Sequence, residues 1–243
     1  MGIVRFLRKR KAARQWTDHD HEMLEFYSQF TGSGDLVFDV GANVGNRVKI
    51  FLKLGAKVVA IEPQDECIDV LNKFFGGNKS LTIVQGVLGS SVGEAELMVS
   101  SASTLSTVSK EWVESVKTSG RFSEYSWDNK KLVPMTTLDQ LIDRHGVPAF
   151  IKVDVEGFEH EVVAGLSRPV KNMSLEFTPE CIDSTLKCIG HLESIGDVYF
   201  NYSIGESMEL SLSEFVPSGE IIKILTGFVG DVSIFGDVYC KFV

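Results

Sequence analysis

From Asp35 onward, short apolar runs alternate with segments whose apolar positions recur at helical spacing. "DLVFDV" (35–40), "KVVAIE" (57–62) and "LTIVQG" (81–86) have the length and flanking turn residues of buried strands. Between them, "VGNRVKIFLKLG" places Val44, Val48, Phe51 and Leu52 on one helical face, with Gly55 as the stop. "DECIDVLNKFFGG" predicts a second helix, capped by Asp65 and ended by Gly76 and Gly77. Apolar strands separated by amphipathic helices predict a parallel sheet covered on both faces, the doubly wound α/β class.

The regularity breaks after an edge strand expected at 93–99. Residues 100–131 hold nine serines together with Trp112, Phe122, Tyr125 and Trp127, and one short helix in "SKEWVESVK". A polar insertion of this length that carries aromatics reads as a lid or binding loop, or as a variable surface excursion. The alternation then resumes. "TLDQLIDRHG", "EHEVVAGL" and a stretch near 179–194 read as helices, and "AFIKVDV" and "NMSLEF" as strands. The tail offers "DVYFNYSI", a helix in 213–225, and "DVSIFGDVYCKFV", whose Gly-Asp pair suggests the turn of an antiparallel hairpin or edge pair. No repeat or linker interrupts 35–243. The expected organisation is one domain behind a basic N-terminal extension with a helix at 1–34.

Charge is unevenly spread. The net charge is −9, yet Arg5, Arg8, Lys9, Arg10, Lys11 and Arg14 give the first fourteen residues +6, which leaves −15 for the remainder. An acidic body repels phosphate backbones, so a nucleic-acid partner is not expected. Residues 5–14 offer a weak contact for a membrane surface of anionic lipid, although a solvated extension is the simpler reading. The myristoylation pattern fails at Phe6. No apolar run reaches the roughly 20 residues of a bilayer span, and no apolar stretch follows the basic start as in a signal peptide. Cys67, Cys181, Cys188 and Cys240 show no paired spacing, which suits reduced thiols and a cytoplasmic setting.

The first strand runs into "VFDVGANVGN". A glycine turn between strand and helix lets backbone N–H groups meet a ligand at the carboxyl end of the sheet. The dinucleotide spacing would need glycine at 41, 43 and 46, and only Gly41 complies. The S-adenosylmethionine spacing needs 41, 43 and 45, and Gly41 and Gly45 comply, with Asn43 between them able to adopt a left-handed conformation. Asp39 favours the second cofactor, because a carboxylate there can hold an ammonium group but would repel a pyrophosphate. Glu62 ends the second strand, where an acid can accept both ribose hydroxyls of either cofactor.

"VFDVGANVG", "VVAIEPQ", "VQGVLGSSVGEAEL", "TTLDQLI" and "IKVDVEGFEHEVVAGL", in this order, resemble the FkbM-type methyltransferases over residues 35–178. The resemblance implies a Rossmann-like class I fold: a mostly parallel seven-stranded sheet with an antiparallel C-terminal edge. It implies S-adenosyl-L-methionine as cofactor and O-methylation of sugars, polyketides or related hydroxyl compounds. Asp39, Gly41, Asn43 and Gly45 would line the methionine half of the cofactor and Glu62 would bind ribose. Gln85, Gly86 and Val87 would sit near adenine, and Asp154 would close the site. Where the family commonly has a histidine after the fifth-strand Glu, this chain reads "LEFTP", with Thr178 two after Glu176.

In "IKVDVEGFEH", strand alternation sends Ile151, Val153 and Val155 to one layer and Lys152, Asp154 and Glu156 to the other. Gly157 then turns the chain into a helix whose first turn holds Glu159 and His160. Methylating a hydroxyl requires a base for its proton. Glu156 or Asp154, held by Lys152, is the first choice and His160 the next, with Glu176 also in reach. A simple Lys152–Asp154 ion pair is the structural alternative. Asp154, Glu156 and Glu176 would suit Mg²⁺ by ligand type, but no ligand signature marks them and no metal is expected. His19 and His21 in "HDH" point apart on a helix and read as solvated. The expected enzyme is thus an O-methyltransferase acting on a glycan, glycolipid or secondary metabolite. N-methylation, a catalytically silent cofactor-binding domain and, more distantly, a nicotinamide oxidoreductase are the alternatives.

Overall fold

The computed structural model describes residues 16–243. The basic segment 5–14 lies outside them. Helix α1 (Asp18–Ser28) opens with a capping box, in which Thr17 and Asp20 bond each other's backbone and side chain. Its Met23, Phe26 and Tyr27 are buried in one cluster with Phe51, Phe150 and Tyr239.

The main sheet contains β1 (Leu36–Val40), β2 (Lys57–Glu62), β3 (Leu81–Gln85), β7 (Phe150–Val153), β8 (Asn172–Phe177), β9 (Val198–Ile204) and β10 (Gly236–Phe242). Their order is β3-β2-β1-β7-β8-β10-β9. Strand β10 runs antiparallel to both of its neighbours, β8 and the edge strand β9, so the expected seven strands and antiparallel C-terminal edge are present. The chain winds outward from β1 to β3, then returns to β7 and winds the other way. The order therefore reverses between β1 and β7, where ligands of such sheets bind.

Helices α2 (Asn46–Lys53), α3 (Asp65–Phe75), α5 (Leu138–His145), α6 (Glu159–Ala164), α7 (Ile182–Ile195) and α8 (Ser218–Thr226) cover the two faces, giving two cores separated by the sheet. No helix among the described residues is long and apolar enough to cross a membrane.

Local details depart from the sequence reading. Helix α2 starts only at Asn46, behind Gly45 in the left-handed region. Val44 precedes it and packs with Cys67 and Val70 instead of joining Val48 and Phe51. Gln64, not Asp65, stands at the N-cap of α3, and the Asp65 carboxylate is taken by Lys131 and Gln85. The Gly236–Asp237 pair is no turn; it begins β10.

A second, three-stranded sheet has the order β4 (Val87–Leu88), β6 (Asn129–Thr136), β5 (Gly93–Val99). The 93–99 strand is therefore an edge, but of this small sheet. Helix α4 (Lys110–Ser119) lies between β5 and β6, capped by Ser109. The aromatics of this region build a core of their own. Trp112 is buried against Trp127, edge to face at 6.0 Å, and Trp127 donates its indole N–H to the Leu105 carbonyl at 2.6 Å. Trp112 also packs against Gly157, where any side chain would collide with it, so the insertion is seated on the turn that follows β7.

Candidate active site

A cavity of about 290 Å³ opens at the carboxyl ends of β1, β2, β7 and β8. The bend after β1 forms its first wall. Gly41 has φ 86, and a Cβ there would lie 1.8 Å from the Asp154 carbonyl oxygen. Only glycine allows β1 and β7 to splay this closely. Asn43 follows at φ 47, and its amide N–H points at Glu62 Oε2, 2.9 Å away.

Glu62 ties two loops together. Besides the Asn43 N–H it accepts the Gln64 N–H at 2.8 Å. Burial pushes its carboxyl up to about 7, against the pull of these donors. Burial also pushes Asp39 up to about 7, with Lys152 and Arg47 offsetting part of the effect. Asp39 is only 2% exposed, and its Oδ2 has no hydrogen-bond partner.

The opposite wall carries "KVDVE". Lys152 lies 3.0 Å from Asp237 Oδ1 and 3.3 Å from Asp154 Oδ2. Burial works against its charge, but these carboxylates prevail and hold the ammonium well above its usual range. Glu156 sits at φ 56, and its carbonyl accepts the Thr107 hydroxyl at 2.7 Å. Asp154, Glu156 and Glu176 each bring a carboxylate oxygen to within 4.8 Å of the others. Burial first, and then the Asp154 charge, raises both Glu156 and Glu176 well above ordinary carboxyl values.

Asp39, Gly41, Asn43, Glu62, Lys152, Asp154 and Glu156 thus meet on one cavity. Five other predicted residues lie off its wall. Gly45 faces α3, where a Cβ would strike Phe75 and Leu71. Gln85 reaches back to Asp65 at 2.6 Å, Gly86 packs on Pro134, and Val87 enters β4. His160 is a third exposed and lies 3.7 Å from Glu161. Glu159 turns inward instead, accepting the N–H groups of Val155 and Gly157 at 3.2 Å each. Burial raises its carboxyl to about 7.

The structure also adds residues that the sequence reading left out. Arg47, the second residue of α2, pairs with Glu206 at 2.5 Å on the cavity rim. The Ser103 carbonyl accepts Asn43 Nδ2 at 3.2 Å and Gln64 Nε2 at 2.9 Å. The insertion meets the cavity through Ser103, Thr104, Ser106 and Thr107, not through its aromatics. Gln64 was within reach of sequence reasoning, two residues past the strand-end acid. Glu206 and Asp237 carry no local signal.

The profile of the methyltransferase FkbM domain matches residues 39–187. The chain belongs to the FkbM methyltransferase family. It is an S-adenosylmethionine-dependent methyltransferase.

This FkbM methyltransferase matches no curated protein in sequence. Solved structures of methyltransferases are similar to it at low identity. An O-methyltransferase from Bacillus cereus in complex with SAH is 11% identical, with a TM-score of 0.50 over 100% of this chain and 90% of that one. Precorrin-6y C5,15-methyltransferase from Geobacter metallireducens is 12% identical, with a TM-score of 0.48 over 92% and 86%. A TehB-like SAM-dependent methyltransferase from Corynebacterium glutamicum is 13% identical, with a TM-score of 0.47 over 98% and 96%. The residues of the FkbM methyltransferase fit the cofactor: the cavity offers an unsatisfied, buried carboxylate oxygen on Asp39 for a cationic group.

Proposed function

We propose that this FkbM methyltransferase methylates a hydroxyl oxygen of a glycan, glycolipid or secondary metabolite. The observation that carries this reading is one cavity joining the unsatisfied Oδ2 of Asp39 to the Asp154, Glu156 and Glu176 cluster. S-adenosylmethionine supplies a methyl group already activated on a sulfonium. The protein's work is to hold an acceptor oxygen about 3–3.5 Å from that carbon and to remove its proton.

Asp39 receives the ammonium of the methionine moiety, which satisfies its orphaned oxygen. Glu62 takes the ribose hydroxyls while the Asn43 and Gln64 N–H groups fix its orientation. Glu156 is the base, and its raised proton affinity suits it to accept a proton near neutral pH. Lys152 and Asp154 position it. Ser103, Thr104, Ser106 and Thr107 give the insertion side of the cavity a polar lining, which supports a polar acceptor. The net charge of −9 favours an uncharged or cationic acceptor over a nucleic acid.

Incubation with S-adenosylmethionine and a panel of sugars, glycolipids and hydroxylated metabolites tests this reading. Mass spectrometry should find one added methyl on a hydroxyl compound, and Glu156→Gln should lose turnover while still binding S-adenosylhomocysteine. Methylation confined to amines would remove the oxygen-acceptor reading.

A further inference from the structure

We propose that Glu156 and Glu176 share a proton in the cofactor-free enzyme and release it when a sulfonium enters the cavity, so that the incoming positive charge arms the base. The inference rests on the cofactor and base assigned above and adds Glu176 to the machinery.

Charge balance around the pair leads to this assignment. The oxygens of Asp154, Glu156 and Glu176 lie within 4.8 Å of one another. Asp39 lines the same cavity, and Glu159 lies behind it, held by the Val155 and Gly157 N–H groups. The facing cations are already engaged. Lys152 is shared between Asp237 and Asp154, and Arg47 is paired with Glu206. Like charges this close in a recessed site do not all ionise, so the pair keeps a proton. Both groups are accordingly raised.

A sulfonium carries a fixed positive charge and lowers the proton affinity of nearby carboxylates. The pair then loses its proton to solvent and becomes a competent acceptor. During transfer, Glu156 accepts the hydroxyl proton as the oxygen–methyl bond forms and the methyl–sulfur bond breaks, its electron pair staying on sulfur. The positive charge disappears as the proton returns, and the pair ends in its starting state.

The proposal separates the cofactor from its product. S-adenosylmethionine and S-adenosylhomocysteine share the ammonium, carboxylate and ribose, so Asp39 and Glu62 respond to both alike. Only the first carries the sulfonium. Calorimetric titration near pH 7, in phosphate and in Tris, counts the protons released with each nucleoside. The wild-type enzyme should release about one proton more with S-adenosylmethionine. Its preference for S-adenosylmethionine should rise up to tenfold per pH unit across the titration of the pair. Glu176→Gln should abolish the difference while keeping S-adenosylhomocysteine affinity within about threefold.

Equal proton counts for two bound nucleosides would overturn the proposal, and the wild-type measurement alone decides this should the variant fail to fold. Stoichiometric binding of Mn²⁺ alone to the nucleoside-free enzyme, lost in Glu176→Gln, would also overturn it, because a metal ion would then occupy the proton's place. Absence of binding by either nucleoside would instead overturn the cofactor reading, and the inference with it.

Discussion

Lys152 and Asp237 form an ion pair at 3.0 Å across the intervening strand β8. Beside Lys152, β8 contributes only the small Ser174, and the ammonium passes over it. The pair is buried, with Tyr239 donating its hydroxyl to Asp237 at 3.4 Å. Lys152→Met should therefore leave Asp237 as an uncompensated buried charge and cost about 3–5 kcal/mol. Adding Asp237→Asn should recover most of that loss. Urea unfolding of the single and double variants checks both statements, and an additive double variant would mean that the pair is not coupled.

Glu62 is held by the backbone N–H groups of Asn43 and Gln64, from the loops after β1 and β2. Glu62→Gln would turn an amide NH₂ toward one of those donors and remove an acceptor for ribose. Affinity for S-adenosylhomocysteine should fall roughly 10–100-fold, or about 1.4–2.8 kcal/mol. Calorimetry measures it, and unchanged affinity would remove Glu62 from the ribose site.

Gly41→Ala and Gly120→Ala make a matched comparison. Both glycines have positive φ, 86 and 77, but only Gly41 has a neighbour in the way of a side chain. Gly120→Ala should cost about 1 kcal/mol for its backbone conformation alone. Gly41→Ala should cost roughly 3 kcal/mol or more, since β1 and β7 must separate. Thermal melts followed by circular dichroism rank the two.

Asp39 imposes a pH dependence on the cofactor-free enzyme. Its carboxyl rises from 3.8 to about 7 because it is buried. Below 3.8 both folded and unfolded chains hold the proton. Between 3.8 and about 7 the unfolded chain releases it while the folded one keeps it, so stability falls as pH rises through this window. Glu62 and Glu159, also raised to about 7, act in the same direction. Asp39→Asn should flatten the decline and stabilise the cofactor-free enzyme at pH 8 by roughly 1–3 kcal/mol, while weakening cofactor binding. Melting temperatures from pH 5 to 8 with and without S-adenosylhomocysteine follow both effects.

The parallel core and the strand-end acids were legible because strand alternation and glycine spacing are local signals. "VFDVGANVGN" and "KVVAIE" alone place Asp39, Gly41, Asn43 and Glu62 around one cavity. His160 stands in the first turn of α6 as expected, but its side chain lies off the cavity beside Glu161. Which first-turn residue faces inward depends on the turn at Glu156 and Gly157, at φ 56 and 81, and it is Glu159 that folds back onto the Val155 and Gly157 N–H groups. Gly45 satisfies a ligand-binding spacing, yet its lack of a side chain serves the contact with α3. Glu206 and Asp237 were out of reach because only the folding-back of β9 and β10 brings them to Arg47 and Lys152. The lone Lys152–Asp154 pair was half of the answer, and the larger half lies 85 residues away.

The Ser103 carbonyl takes one hydrogen bond from the glycine bend and one from the loop after β2. That one peptide group joins the insertion to both loops on this side of the cavity. Moving the insertion at Ser103 would therefore have to break a hydrogen bond to each of these loops. Grafting a foreign insertion onto this scaffold to change its acceptor would have to carry that carbonyl along, or the chimera would hold its nucleoside as poorly as it chose its new acceptor.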